Sequence, residues 1–507
     1  MENLHSQIDE LLAKYANHPH ILTKLHNQIM ITLPNTLENY HTMLTEKEIQ
    51  KKKENDICSD MVNKFMREGG NYYYCSASEM YFLYDHVTYV VVAEDYISEH
   101  IYKMLTVEGV ASSLKYKIMR LILKSVRDRN INSVIPESTT IQMVIGWLSN
   151  NETKNLIKYF LTVLGDIILK KDPHLTYIIS PKMKPLIREL SNRCYEYFGG
   201  DNLRKRFRYK FHEQHIIGDT RLLMRLEPME YAIRPLDMLC VALHYSSRYG
   251  SSEEYMKVKS YDQEMHKYVY YFRDMNEPKA VISDFIDSVL IKTDDPTVNI
   301  STKNMMFLWK RFCEQKSIPS VIFYNNLKNY MGEYFDEASD TYIKVTSPYL
   351  PMVSQFLRFW TECTTPNTDS EYEIEEVCNI YRKWNNTDIM ASISESMVLK
   401  LIHHFFEDIV SIEEDKYIFG VHFLPWDKNA DVQSVLTMLK EERSGTSNPS
   451  ITTLYDAYER YQDYRRDSTS IGIVSKRFFE KYVIEKYPNA TRENAQGIRL
   501  LDWDAML

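Results

Sequence analysis

Glycine is scarce in this 507-residue chain: only 14 occur, well under the roughly 7% typical of proteins. So few of the residues that enter left-handed backbone freely leave little room for glycine-rich phosphate loops or turn-dense β-sandwiches. There is no GxxxxGK followed by Ser or Thr, and neither Gly165 nor the pair Gly199 and Gly200 precedes such a Lys, which argues against an active P-loop ATPase. A GxSxG elbow is also missing, and no cysteine stands in a recognisable protease context. No enzyme class is indicated and no catalytic residue is assigned. The seven cysteines, at 58, 75, 194, 240, 313, 363 and 378, include no CxxC pair. That odd count and spacing point to reduced thiols and away from structural zinc. No apolar run approaches the ~18 residues that span a bilayer. Met1 to Glu10 lacks the charged and apolar parts of a secretory signal, so a soluble intracellular protein with no membrane contact is expected. His212 and His215 stand in His-Glu-Gln-His rather than HExxH, and His403 and His404 point to different sides of one helix. No metal site and no cofactor is therefore expected.

Apolar material is plentiful. Hydrophobic residues make up 44% of a chain of 60.2 kDa, enough for several cores, and the length exceeds what one core usually organises. The formal net charge is -9, but it is unevenly spread. Between Glu362 and Gly420 there are 13 Asp and Glu against four Lys and Arg, whereas Asn202 to His212 holds five basic residues, one histidine and no acid. A cationic patch can therefore coexist with a sequence pI near 6.0.

Leu4, Ile8, Leu11, Leu12 and Tyr15 form one helical stripe, and a Lys-rich stretch follows at Lys47 to Asn55 before Gly69 and Gly70 end the first region. Tyr81 to Tyr84, a turn at Asp85 and His86, and Val87 to Val92 predict a β-hairpin. Glu94 and Asp95 then open a helix through Leu105, with acids in its first turn. Residues 114 to 198 have the apolar spacing of an all-helical layer.

From Arg206 to His212 basic and aromatic side chains alternate. On a strand that alternation puts Arg206, Arg208 and Lys210 on one face and Phe207, Tyr209 and Phe211 on the other. A ladder of like charges is explained by a polyanion that neutralises it, and equally by a solvated face of a half-buried strand. Leu222 to Leu226 is the expected pairing partner. Candidate nucleic-acid contacts here are Arg204, Lys205, Arg206, Arg208 and Lys210.

The last 200 residues carry one pattern three times: an aromatic-rich helix, a break, a second helix and a strand-like tail. The first copy has Met306, Phe307, Trp309 and Phe312, then Val321, Phe323, Leu327 and Tyr330, then Asp340 to Thr346. In the second, Ile374, Val377, Ile380, Tyr381 and Trp384 precede Met397, Leu401, Ile402 and Phe405, with a two-stranded wing around Glu414 and Asp415. In the third, Tyr455, Tyr458 and Tyr461 precede Ser475, a cap before Phe478, Phe479, Tyr482 and Val483. Only this copy has a basic second helix, and Lys476, Arg477 and Lys481 are its candidate nucleic-acid contacts.

The segment from Tyr81 to Leu105, YFLYDHVTYVVVAEDYISEHIYKML, resembles the module that precedes the motor in viral primase-helicases of the poxvirus and giant-virus type. Leu308 to Val345 is similar to the winged helix that follows that motor, and the motor itself is missing. The whole chain resembles large conserved proteins of amoeba-infecting giant viruses (nucleocytoplasmic large DNA viruses). That resemblance implies a non-enzymatic nucleic-acid-binding scaffold, working with a viral helicase or polymerase in replication or transcription, in a viral factory of the host cytoplasm. A second resemblance is narrower: Tyr116, Leu121 and Ile122 match the Tyr-x4-Leu-apolar pattern by which translation-initiation scaffolds contact a cap-binding protein. It implies a bridge between that protein and an RNA helicase on viral mRNA. A structural or host-interaction protein is the third alternative.

The expectation is an α+β, mainly helical chain within a hetero-complex on RNA or DNA. Its regions are a helical start (1–68), a hairpin-containing and helical core domain with a basic strand at 204–212 (69–300), a winged-helix-like module (301–360), an acidic one (361–430) and a basic helix-turn-helix-like one (431–507).

Overall fold

The computed structural model describes residues 2–148, 154–171, 174–200, 203–211, 217–229, 233–275, 277–386, 393–444, 451–466, 471–494 and 497–506. Helix accounts for 62% and strand for 14%, so the chain is α+β and mainly helical. It divides into two compact units, Met1–Glu277 with Ser317–Val321, and Pro278–Lys316 with Ile322–Leu507. His212 and His215 lie outside the described residues.

The first unit begins with α1 (Glu2–Lys14), α2 (Pro19–Asn27) and α3 (Leu33–Glu68). At 36 residues α3 is about 54 Å long, yet only Cys58 and Phe65 on it are buried. Gly69 caps α3, and Gly70 turns the chain at φ +115°. A three-stranded antiparallel sheet follows, β1 (Asn71–Cys75), β2 (Met80–Tyr84) and β3 (Tyr89–Val92). The β2–β3 turn sits at Asp85 and His86, where Asp85 Oδ1 accepts the Val87 and Thr88 amides and His86 takes φ +74°. Next come α4 (Glu94–Val107) and α5 (Ser112–Arg127), whose Ile97, Ile101, Ile118 and Ile122 close the core over Tyr72 and Phe65.

After α6 (Ser138–Gly146), α7 (Lys154–Ile168) is apolar nearly all round and buried from Tyr159 to Ile167, as a helix covered on every side requires. It crosses α10 (Pro235–Tyr249) closely: a Cβ on Gly165 would lie 2.2 Å from the Ala242 carbonyl oxygen. Between these helices in sequence, the expectation of an all-helical layer fails. Thr176–Ile179 forms β4, a run of β-branched and aromatic residues ended by Ser180 and Pro181. Then come α8 (Lys184–Phe198), α9 (Leu203–Arg206), β5 (Phe207–Arg208) and β6 (Thr220–Leu223). The three strands form a parallel sheet in the order β5-β4-β6, with Tyr177 opposite Phe207 and Arg221. Three short helices complete the unit: α11 (Ser252–Val258), α12 (Gln263–Val269) and α13 (Tyr271–Asp274).

The extended basic strand is also corrected. Leu203 to Arg206 is helical, and only Phe207 and Arg208 are strand. The buried side chains explain this: Leu203, Phe207 and Phe211 lie four residues apart, one helical turn rather than one strand repeat, and Tyr209 is only half-buried. The expected partner around Leu222 pairs with β4, on its other edge.

The second unit writes one topology three times. The first copy is α14 (Pro278–Val289), β8 (Asn299–Ser301), α15 (Thr302–Lys316), α16 (Tyr324–Tyr334), β9 (Glu337–Ala338) and β10 (Thr341–Ile343), with a side pair of β7 (Ile291–Lys292) and β11 (Val345–Thr346). The second is α17 (Leu350–Cys363), β12 (Thr364–Glu373), α18 (Ile374–Asn385), α19 (Glu395–Phe405), β13 (Ser411–Glu413) and β14 (Tyr417–Phe423). The third is α20 (Lys428–Ser444), β15 (Ile451–Thr453), α21 (Leu454–Arg466), α22 (Lys476–Lys486), β16 (Thr491–Glu493) and β17 (Arg499–Asp502). In each sheet the last strand lies in the middle: β8-β10-β9, β12-β14-β13 and β15-β17-β16. Glu414 and Asp415, both at positive φ, turn β13 into β14, and the Ser475 hydroxyl caps α22 by accepting the Phe478 amide. One hydrophobic core runs through the second and third copies.

Candidate nucleic-acid interface

The connection from β4 through α8 to β5 brings two basic segments together. Lys184 and Arg188 stand one turn apart at the start of α8, on the same side of the helix. Arg204, Arg208 and Lys210 join them in lining one cavity, from α9, β5 and the residues just after it. With Ile187, Phe207 and Tyr209 these five cations line a cavity of about 460 Å³. Arg204 donates to the Asn192 Oδ1 at 2.5 Å, and Arg208 donates to the Arg204 carbonyl oxygen at 2.6 Å. Both partners are neutral, so these bonds orient the guanidinium groups without cancelling their charge. Among the described residues none of the five forms an ion pair. Phe207 is buried beneath them against Phe160 and Tyr177 and fixes the floor.

Of the five basic residues expected in this stretch, the fold thus gathers Arg204, Arg208 and Lys210. Lys205 is exposed but does not line the cavity, and Arg206 is half-buried away from it. Lys184 and Arg188 were not singled out from sequence. Their i, i+4 spacing was the available signal, but its relevance depends on β4 and β5 being neighbours. Lys182, two residues earlier, is held by Glu227 at 3.0 Å.

The basic residues of the third repeat are placed differently. Arg477 Nε reaches Glu371 at 2.9 Å and stacks 4.4 Å from the Tyr417 ring centre, while Lys481 lies 4.0 Å from the same Glu371. Lys476 pairs with Glu480 at 3.7 Å. Glu371 and Tyr417 belong to the second repeat, so α22 turns Arg477 and Lys481 toward its neighbour, while Lys476 stays paired within α22. Beneath them Lys428 is buried, donating to Glu376 Oε2 at 2.8 Å and to the Glu371 carbonyl oxygen at 3.0 Å. The Phe478 ring lies 3.9 Å from its ammonium. The other Glu376 oxygen accepts the Ser475 amide at 2.7 Å. Burial pushes the Glu376 carboxyl up and the Lys428 ammonium down, and each is opposed by the other's charge. In the second repeat, α19 packs on the first: Lys400 pairs with Glu314 at 2.6 Å, and His404 bonds the Lys303 carbonyl oxygen at 2.8 Å. Burial lowers the His404 pKa, which favours the neutral ring.

The Tyr116 motif is split by its helix. Tyr116 and Leu121 are exposed on α5, while Ile122 is fully buried in the core with Ile118. No group of His, Cys, Asp and Glu suited to a metal ion occurs among the described residues, all seven cysteines are buried thiols, and no described helix is long and apolar enough to cross a membrane. No family model, curated protein or solved structure matches the chain.

Proposed function

We propose that this protein is a non-enzymatic scaffold that binds nucleic acid through the cavity formed by Lys184, Arg188, Arg204, Arg208 and Lys210. The observation that carries the reading is the convergence of five cations with no described carboxylate paired to any of them, in a chain of net charge -9. Holding like charges around one cavity is unfavourable until an anion enters, and phosphate is an anion that Arg binds bidentately and Lys binds as a point charge. The three C-terminal repeats are tandem winged helices in this reading. Helix, strand, two helices and a hairpin whose last strand lies centrally is the arrangement that supports it. The second helices of repeats two and three contact neighbouring repeats through Lys400, Arg477 and Lys481, which favours protein packing over groove reading there.

The resemblance to primase-helicase flanks extends the proposal to viral replication or transcription, with a separate protein supplying the motor. The cap-binding alternative is favoured less, because buried Ile122 leaves two of its three contact residues on the surface. A mobility-shift titration with single-stranded RNA and with DNA tests the core of the proposal. Reversing charge in R204E/R208E should abolish the shift, and a shift unchanged from the parent protein would refute it.

A further inference from the structure

The shape of the basic cavity narrows the ligand. Proteins that hold an internal stretch of single strand string their cations along a groove that tracks the backbone, with one phosphate per contact. Here Lys184 and Arg188 from α8 and Arg204, Arg208 and Lys210 from the α9–β5 segment line a single cavity of about 460 Å³. An internal phosphodiester brings one negative charge, and five convergent cations exceed it severalfold. A terminal phosphate chain concentrates several charges in one small volume. The local fold adds to the same potential. The cavity lies against the first two turns of α8, beside the end of β5 in a parallel sheet, where anions settle outside the carboxyl ends of strands. The apolar wall of Ile187, Phe207 and Tyr209 excludes water from one side and strengthens each contact.

We propose that this cavity takes the terminal phosphate chain of a nucleotide, most simply a 5′-triphosphate, with Arg188 and Arg208 clamping it from opposite sides. The proposal rests on the nucleic-acid reading above and adds end recognition to it. The same chemistry is offered by a free nucleoside triphosphate and by the 5′ end of an RNA strand.

Fluorescence polarisation with one short single-stranded RNA, carrying a 5′-triphosphate, a 5′-monophosphate or a 5′-hydroxyl, tests it on the full chain. Affinity should fall in that order, by about tenfold or more from first to last, because charge-assisted contacts are lost at each step. The preference should vanish in R188E, an exposed position on a helix face, and in R208E. Circular dichroism of R188E confirms that the fold is kept. Equal binding of the three RNAs, weakened alike by R188E, would overturn end recognition and leave the nucleic-acid reading standing. Binding indifferent to R188E and R208E would overturn both. Competition separates the sources: displacement of triphosphate RNA by ATP at matched concentration assigns a free-nucleotide site, and displacement only by triphosphate RNA assigns a strand-end site.

Discussion

Replacing Lys428 by Met is expected to destabilise the second unit by about 3–5 kcal/mol. The Lys428 and Glu376 side chains are 4% and 3% exposed, and their charges meet at 2.8 Å. At an effective dielectric near 20 their attraction is about 6 kcal/mol, and it is largely offset by removing both ions from water, so the intact pair is close to neutral in net stability. Removing one partner is different. K428M leaves the Glu376 carboxylate buried, still accepting the Ser475 and Glu373 amides but with no counter-charge. The double variant K428M/E376Q removes that charge, so it should cost less than the two single changes together, with a coupling of about 2 kcal/mol. Urea unfolding followed by tryptophan fluorescence reads this directly, because Trp309, Trp360, Trp384, Trp426 and Trp503 all lie in the second unit. K428M within about 1 kcal/mol of the parent, or a coupling of zero, would refute the argument.

Three further outcomes are expected. Asp237 is fully buried, with Oδ1 accepting the Tyr89 amide at 2.7 Å and Oδ2 without a hydrogen-bond partner among the described residues, and burial pushes its pKa up to about 6. Because the folded value lies above the unfolded one, this group's stabilisation is complete below the unfolded value and is lost as pH rises through 6, by up to about 3 kcal/mol. In D237N the difference in urea midpoint between pH 4 and pH 7 should shrink accordingly, and an unchanged difference would contradict the assignment. G165A should cost about 3 kcal/mol or more in thermal or urea unfolding despite alanine's helix propensity, since its Cβ would meet the Ala242 carbonyl. Because α3 is exposed through Lys51, Lys52 and Lys53, brief trypsin treatment should cut there before it cuts the buried α7. Mass spectrometry of the first fragments decides it.

The sequence disclosed what local chemistry controls. Asp85 and His86 mark a turn by side-chain capping and tolerance of positive φ, Ser475 marks a helix start, and the threefold order of helices and hairpins follows the apolar spacing. Long-range pairing was not legible. Whether Thr176 to Ile179 joins a sheet depends on β5 and β6, distant in sequence, and without that sheet Lys184 and Arg188 read as ordinary helix-surface charges. Alternation misled at Arg206 to His212 because it describes the aromatic and basic positions there but not Leu203, whose burial one turn before Phe207 makes the first residues helical. The acidic bias from Glu362 to Gly420 was opaque in part: Glu371 and Glu376 within it are buried partners of Arg477 and Lys428, while Glu362, Asp369, Glu413 and Asp415 stay exposed.

The most direct test of the central claim is the salt dependence of single-stranded RNA binding by the parent chain and by R188E/R208E. If five cations neutralise phosphate, the logarithm of the binding constant should fall with the logarithm of salt concentration with a slope near -3.5, and the double reversal should make that slope shallower by about 1.4 or more. A slope near zero in the parent, or the same slope in both proteins, would contradict the assignment of this cavity as the nucleic-acid site.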